Sequence, residues 1–311
     1  MRQLIKSVKA ALRFRDYRPK PLSFLSARRW VNQFERKDRK LVGQLLDNVI
    51  YFSELRTRDI LVAQNELLTK RLSNAGLSSK KLIYVQLHDA GSSSPVMLNL
   101  LRDAANLERL GCHLVDARDT LRLIRIMNKI GEGALIYVDD FVGSGDQFCS
   151  ERDFAASNFV GTFSEFVLAP SICEEAFEEL DKRGIQAFTG HKHMKEERPL
   201  HANCTVFDQD DKDRLVNICN RISKFGLGYK ELATMVVCYR NAPDNVPIIL
   251  RGSLNQTPYF GIFPRTTDLP GSVTLSSRAT RLRATCALEQ DERLSLGRLE
   301  GSCHWVMPAM P

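Results

Sequence analysis

The run Ala134-Leu135-Ile136-Tyr137-Val138-Asp139-Asp140-Phe141-Val142-Gly143-Ser144-Gly145-Asp146-Gln147-Phe148 decides the fold. Its first five residues are apolar with no polar alternation, which reads as a strand buried on both faces. The strand ends in two adjacent carboxylates. A Gly-Ser-Gly turn then opens a helix expected to reach about residue 156. Strand, turn and helix make half of a βαβ unit, because parallel neighbours need a crossover. In such sheets ligands bind at the carboxyl ends of the strands. Amides at a helix start hold a phosphate, and glycines let it come close. Paired carboxylates accept hydrogen bonds from vicinal hydroxyls of a ribose. The stretch thus offers a sugar end and a phosphate end, the two needs of a ribose 5-phosphate.

Outward from this run the same rhythm repeats. Leu82 to Leu87 reads as a strand. Pro95 to Leu110 reads as a helix, with Ser94 as N-cap and Gly111 closing it. A strand at 112–115 and a helix at 119–130 come next. Strands are expected at 166–169 and 185–189, with a helix at 171–183 between them. Strands at 204–207 and 234–239 flank a helix at 210–225. Apolar strands alternating with amphipathic helices imply a Rossmann-like α/β fold: a parallel sheet with helices on both faces and right-handed crossovers.

The first quarter is helical. Leu4, Ile5, Val8, Ala11 and Leu12 sit at helical spacing among Arg2, Lys6, Lys9 and Arg13. Pro19 and Pro21 break that helix. Ser26 is a candidate cap for a helix carrying Trp30, Val31 and Phe34. A second helix carries Leu41, Leu45, Leu46, Val49 and Phe52. Thr57 is a candidate cap for a third, closing near Gly76. The expected organisation is a basic N-terminal helical unit at 1–78, the α/β domain at 79–265 and a weakly ordered tail at 266–311. The helical unit reads either as a cap packed on the main domain or as a nucleic-acid-binding unit. Trp30 and Phe34 read as core residues.

Composition bounds the rest. With 43% hydrophobic and 26% charged residues among 311, low-complexity and collagen-like classes are excluded. No apolar run approaches the roughly 18 residues of a membrane span, and no apolar leader core is present at the N-terminus. Eight cysteines occur without any CxxC pair, which argues against a zinc ribbon or a disulfide framework and for a reducing cytoplasm. The first forty residues hold thirteen basic and three acidic side chains, a net +10, whereas the whole chain carries +7. This arm is where a nucleic acid or an RNA–protein complex would be met.

The central run resembles the phosphoribosyl-pyrophosphate (PRPP) motif of type I phosphoribosyltransferases. It further resembles the phosphoribosyltransferase-like domain of bacterial conflict systems, PRTase-CE, in Val138-Asp139-Asp140-Phe141-Val142-Gly143-Ser144-Gly145. Further resemblance lies in the aromatic pair Trp30 and Phe34, in Asn241-Ala242-Pro243-Asp244-Asn245-Val246-Pro247, and in Phe263-Pro264-Arg265. It spans about 25–266. The resemblance implies a Rossmann-like parallel sheet of type I phosphoribosyltransferase kind with an N-terminal helical unit. It implies that Asp139 and Asp140 are the catalytic carboxylates, facing the ribose hydroxyls and meeting Mg2+ indirectly through the ribose. It implies that Gly143, Ser144, Gly145, Asp146 and Gln147 hold the 5-phosphate. His88, Asp89, Ala90, Gly91, Ser92 and Ser93 stand where the pyrophosphate loop lies, and Asn241 and Asn245 line the cleft. No organic cofactor is expected.

Two functions follow from the resemblance. One is a phosphoribosyltransferase-like enzyme using PRPP or a related ribose-phosphate nucleotide, in anti-phage defence. The other is a non-catalytic nucleotide-sensing module recruited to a reverse transcriptase–RNA complex. Two departures bear on turnover. Asp146 brings an acid to the phosphate loop, and 112–133 reads as strand plus helix where such enzymes carry a flexible catalytic loop. A reverse-transcriptase palm also carries Tyr-x-Asp-Asp, as in Tyr137 to Asp140, but there a second antiparallel strand follows instead of a glycine turn and a helix. His191, His193, His201 and Cys204 form a loose metal-like set whose intervals match no usual zinc pattern. Arg251 and Arg265 read as phosphate-facing or surface residues, and His88 with Asp89 as a proton-transfer or structural pair.

Overall fold

Strand β4 (Glu132–Val138) lies inside a parallel sheet, as the uninterrupted apolar run requires. The structure is a computed structural model and describes residues 2–87, 93–252 and 259–265. The tail at 266–311 lies outside the described residues. In chain order the elements are α1 (Arg2–Arg13), α2 (Phe24–Asn32), α3 (Arg39–Asp47), β1 (Ile50–Phe52), α4 (Glu54–Asn74), β2 (Leu82–Gln86), α5 (Ser93–Ala105), β3 (His113–Asp116) and α6 (Thr120–Ile130). After β4 come β5 (Phe141–Val142), α7 (Asp146–Ala156), β6 (Thr162–Cys173), α8 (Glu174–Asp181), β7 (Ile185–His193), α9 (Gln209–Ile222), β8 (Val236–Cys238) and α10 (Ile248–Arg251).

The main sheet runs β3-β2-β4-β6, with β7 on the far side of β6 and every pairing parallel. β5 continues along the β4 edge of β6: Val138 pairs with Leu168, and Phe141 with Ser171. Between these pairs lie Asp139 and Asp140 on one strand and Ala169 and Pro170 on the other. Pro170 has no N–H to give the ladder. The interruption therefore falls at the twin acids.

Alternation along the strands feeds two cores. Leu82, Tyr84, Ala134, Ile136 and Val138 enter one; Ile83, Val85, Leu135 and Tyr137 enter the other. Both faces are covered, so a parallel sheet is stable here.

The helices of the first quarter share the first core. Phe14, Trp30, Leu45 and Leu61 are buried in the same cluster as Ile136 and Leu168. The described residues up to 265 fall in one compact unit. Trp30 is fully buried, and its Nε1–H donates to Ile249 O at 2.8 Å. Phe263 stacks edge-on against Phe14 at 4.9 Å, and the Tyr17 hydroxyl donates to Pro264 O at 2.9 Å. The Phe-Pro-Arg element thus seats the end of the described chain on the turn that follows α1.

Several boundaries differ from the sequence reading. Ser23, not Ser26, caps α2, with Ser26 as its capping-box partner. Ser53, not Thr57, caps α4. Phe52 is not helical: Ile50, Tyr51 and Phe52 form a short strand paired in parallel with Val236, Val237 and Cys238. β-branched and aromatic neighbours favour that outcome once a partner strand is available. Ser94 lies inside α5, where its hydroxyl donates to Val138 O at 2.8 Å. Residues 204–207 form no strand, because Asp208 already caps α9. No helix among the described residues is long and apolar enough to cross a membrane.

Candidate functional site

Asp139 and Asp140 stand at the carboxyl end of β4, each less than a tenth exposed. The Asp139 amide donates to Leu168 O at 3.0 Å, and the Asp140 amide to Asp139 Oδ1 at 2.9 Å. The start of α5 closes over them: the Ser93 hydroxyl donates to Asp139 Oδ1 at 2.7 Å. Burial, and then the Asp139 charge, push the Asp140 carboxyl up to about 7. Two buried carboxylates this close resist double ionisation unless a donor or cation joins them. From the other side, the Cys238 thiol lies 3.7 Å from Asp140 O, so β8 frames the pair.

The loop expected to hold phosphate follows directly. Gly145 precedes α7 in a left-handed conformation, φ +87°, which a side chain would strain. A Cβ on it would also meet Glu179 Cβ at 3.2 Å, where α8 packs. Among the described residues the Gln147 and Phe148 amides, first-turn donors of α7, make no backbone hydrogen bond outside the helix. Arg152 fixes the helix to the sheet: its Nε–H donates to Glu165 Oε2 at 2.8 Å, and the Tyr137 hydroxyl to the same oxygen at 2.6 Å.

Asp146 is the acid expected to disturb a phosphate. The structure neutralises it. Lys230 Nζ lies 2.6 Å from Asp146 Oδ2, the Tyr229 hydroxyl donates to that oxygen at 3.1 Å, and the Ser144 hydroxyl at 3.0 Å. Lys230 foremost holds the Asp146 carboxyl below its usual range. The segment that brings Lys230 here is strained: Lys230, Glu231 and Ala233 all have positive φ, between 46° and 54°. Each such residue costs on the order of 1–3 kcal/mol, which the surroundings must offset. They do so through the Asn/Pro element: Tyr229 N–H donates to Asp244 O at 3.0 Å and Thr234 N–H to Asn245 O at 3.0 Å. Asn245 Nδ2 donates to Tyr229 O at 3.3 Å.

Of the expected cleft residues, Asn245 reaches the 143–147 loop and abuts Gly143. Asn241 bridges back to Cys238 through its backbone, and its Oδ1 is buried without a hydrogen-bond partner among the described residues. Arg251 and Arg265 both pair with Asp244, bracing the same element. His88, Asp89, Ala90, Gly91 and Ser92 lie outside the described residues; of that loop only Ser93 is described.

The loose His/Cys set divides. His191, His193 and Glu197 come together, while His201 and Cys204 are not part of the group. His191 Nε2 lies 3.0 Å from Glu197 Oε1, and its Nδ1 lies 3.0 Å from Ser171 Oγ. His193 is fully buried, and burial holds its pKa down to about 4. Its Nε2 accepts from Met235 N–H at 3.2 Å, which puts the ring proton on Nδ1, 3.4 Å from Glu197 Oε2. A metal at Nδ1 would have to displace that proton. The set is therefore a polar brace between β6, β7 and the segment before β8.

Part of the N-terminal charge is engaged within the chain. Arg13 donates to Asp47 O and Val49 O, Arg18 pairs with Glu54, and Arg39 donates to Phe34 O and Asn32 O. Fewer basic groups are left for a nucleic acid than the sequence count suggests.

Sequence reasoning missed Lys230, Tyr229 and Cys238. Lys230 lies 84 positions beyond Asp146, and only Gly228 before it marks a turn. A family model described as PRTase-CE matches residues 27–265. No curated protein and no solved structure matches the chain.

Proposed function

The chain belongs to the PRTase-CE family and carries a phosphoribosyltransferase-like domain, and from that premise we propose that the site at the end of β4 binds the ribose 5-phosphate part of PRPP or a related nucleotide. The observation that carries this reading is the juxtaposition of buried Asp139 and Asp140, tied to Ser93, with the start of α7 six residues after Asp140. The carboxylates take the 2′- and 3′-hydroxyls. The 143–147 loop takes the 5-phosphate, with the Gln147 and Phe148 amides as donors.

The donor set suits Mg2+. Paired carboxylates are hard oxygen donors, and a like-charge pair that raises Asp140 gains from a nearby cation. Bound with PRPP, Mg2+ would neutralise pyrophosphate charge. In the proposed reaction the bond from the anomeric carbon to the pyrophosphate oxygen breaks, pyrophosphate leaves with that electron pair, and the acceptor forms the new bond. The chain contributes by positioning the ribose and balancing charge. The anti-phage effector role implied by the resemblance belongs to the same proposal.

Calorimetry with PRPP and magnesium, followed by a pyrophosphate-release assay over candidate nucleobases, tests the reading. Asp139→Asn with Asp140→Asn is expected to keep the fold and abolish binding and release. Undiminished binding in that double variant would falsify the site. Phage plaquing on cells expressing wild type or the double variant tests the defence role.

One observation favours a second reading. Residues 113–130 form β3 and α6, where the resembled enzymes carry a flexible catalytic loop. A nucleotide-sensing or interaction module without turnover fits that regular structure, and binding without pyrophosphate release would select it.

A further inference from the structure

We infer that Lys230 is a phosphate-binding residue of the ribose-phosphate site, held over the loop by Asp146 and delivered there by the strained 228–233 segment. The inference deepens the ribose-phosphate reading and rests on it.

Three donors converge on one oxygen, Asp146 Oδ2: Lys230 Nζ at 2.6 Å, Ser144 Oγ at 3.0 Å and Tyr229 Oη at 3.1 Å. Asp146 is the first residue of α7, so its carboxylate stands beside the amides that would meet a phosphoryl group. Left alone, it would repel a phosphate dianion. Paired with Lys230, it becomes a counter-ion that stores a flexible cation within one side-chain length of the loop. Lysine is suited to this task, because its ammonium is a point charge on a flexible stem and exchanges acceptors by rotamer change.

An ordinary surface ion pair needs no unusual backbone. This one is carried by a segment with Lys230, Glu231 and Ala233 at positive φ. The same segment is hydrogen-bonded to Asp244 and Asn245, and Asn245 in turn abuts Gly143 of the loop. Loop, Asn/Pro element and Lys230 segment are thus one mechanical unit. Over-determined strain of this kind accompanies ligand-facing groups that must be held in place. The ligand class is a phosphomonoester dianion on a pentose.

The test is calorimetric titration of the full chain with ribose 5-phosphate. It compares wild type, Lys230→Gln, Lys230→Arg, Asp146→Asn and the double variant Asp146→Asn with Lys230→Gln. The Lys230 side chain is about half exposed and that of Asp146 partly exposed, so the variants are expected to fold, and a thermal melt of each checks this. Loss of one charge-assisted contact predicts about tenfold or more weaker binding for Lys230→Gln, with Lys230→Arg closer to wild type. Asp146→Asn is expected to bind more tightly than wild type. The double variant separates the roles. If Lys230 contacts the phosphate, the double variant binds about tenfold more weakly than Asp146→Asn alone. If Lys230 only neutralises Asp146, the double variant equals Asp146→Asn, and the inference is overturned while the ribose-phosphate reading stands. A wild type that binds no ribose 5-phosphate overturns both.

Discussion

Asn245 occupies the space beside Gly143 that any other residue's Cβ would need: a Cβ built there falls 2.9 Å from Asn245 Cγ. The glycine that opens the 143–147 loop and the asparagine of the late Asn/Pro element, 102 positions apart, are therefore fitted to each other. Gly143→Ala is expected to push Asn245 off the loop, cost about 1–3 kcal/mol of stability and weaken ribose 5-phosphate binding. Asn245→Ala added to Gly143→Ala should recover stability, because the clash is gone, without recovering full affinity. Thermal melts and titration of the single and double variants check this. A Gly143→Ala protein with unchanged melting temperature and affinity would dismiss the contact as inconsequential.

The buried acid pair gives a pH dependence of defined sign. Asp140 is raised to about 7 by burial and Asp139, against roughly 3.9 in an unfolded chain. Below about pH 4 the group is protonated in both states. Between there and pH 7 the folded chain keeps a proton that the unfolded chain has released. Stability from this group therefore falls as pH rises through that window and levels off above it. Asp140→Asn should melt higher than wild type at pH 8, by an amount worth about 1–4 kcal/mol, with the difference shrinking toward pH 4. Equal differences at both ends would contradict the proposed ionisation.

The same raised group predicts a proton signature on binding. Ribose hydroxyls and Mg2+ favour the ionised carboxylate, so ligand binding near pH 7 should release part of a proton from Asp140. Heats measured in buffers of different ionisation enthalpy should then differ, and the difference should shrink in Asp140→Asn to what the phosphate of the ligand itself contributes.

Much of this was legible because the decisive elements are short-range. The apolar run at 134–138, the twin acids and the glycine turn sit in one stretch, and the alternation of strands and helices specifies a parallel sheet. Strand β1 was not legible, because Ile50 to Phe52 has no pattern of its own and becomes a strand only against Val236 to Cys238. Lys230 was invisible for a related reason: its role exists only once folding brings residue 230 to Asp146. His191 and His193 were seen, but Glu197 and the Met235 amide that fix their tautomers and chemistry were not. Asp146 looked unfavourable from sequence because its neutralising partner is remote.

Arg198 supplies a test of how the polar brace beside the site is held. Its side chain is fully buried and meets Glu175 through two bonds, 2.7 and 2.6 Å, while also donating to His193 O at 3.1 Å. Glu175→Ala would leave a buried guanidinium with only that carbonyl as an acceptor. The expected cost is about 3 kcal/mol or more. Arg198→Met combined with Glu175→Leu removes both charges and should recover a large part of the loss. Denaturant titration of the three proteins decides it, and a double variant no better than Glu175→Ala would mean the cost is packing rather than stranded charge.

Trp30 tests whether the helical quarter and the sheet are one cooperative structure. Its indole is buried in the core that also holds Ile136 and Leu168, and its N–H reaches Ile249 O, four residues after Asn245. Trp30→Ala should therefore cost about 3–5 kcal/mol and lower the melting of the entire described unit in a single transition. Trp30→Phe keeps most of the apolar volume but strands the Ile249 carbonyl, so about 1–3 kcal/mol is expected. Because α10 continues the Asn/Pro element, both changes should also loosen Asn245 against Gly143 and weaken ribose 5-phosphate binding, Trp30→Ala more than Trp30→Phe. Helices 2–74 melting separately from the sheet, followed by far-ultraviolet circular dichroism and tryptophan fluorescence on wild type, would show instead that the shared core does not couple them.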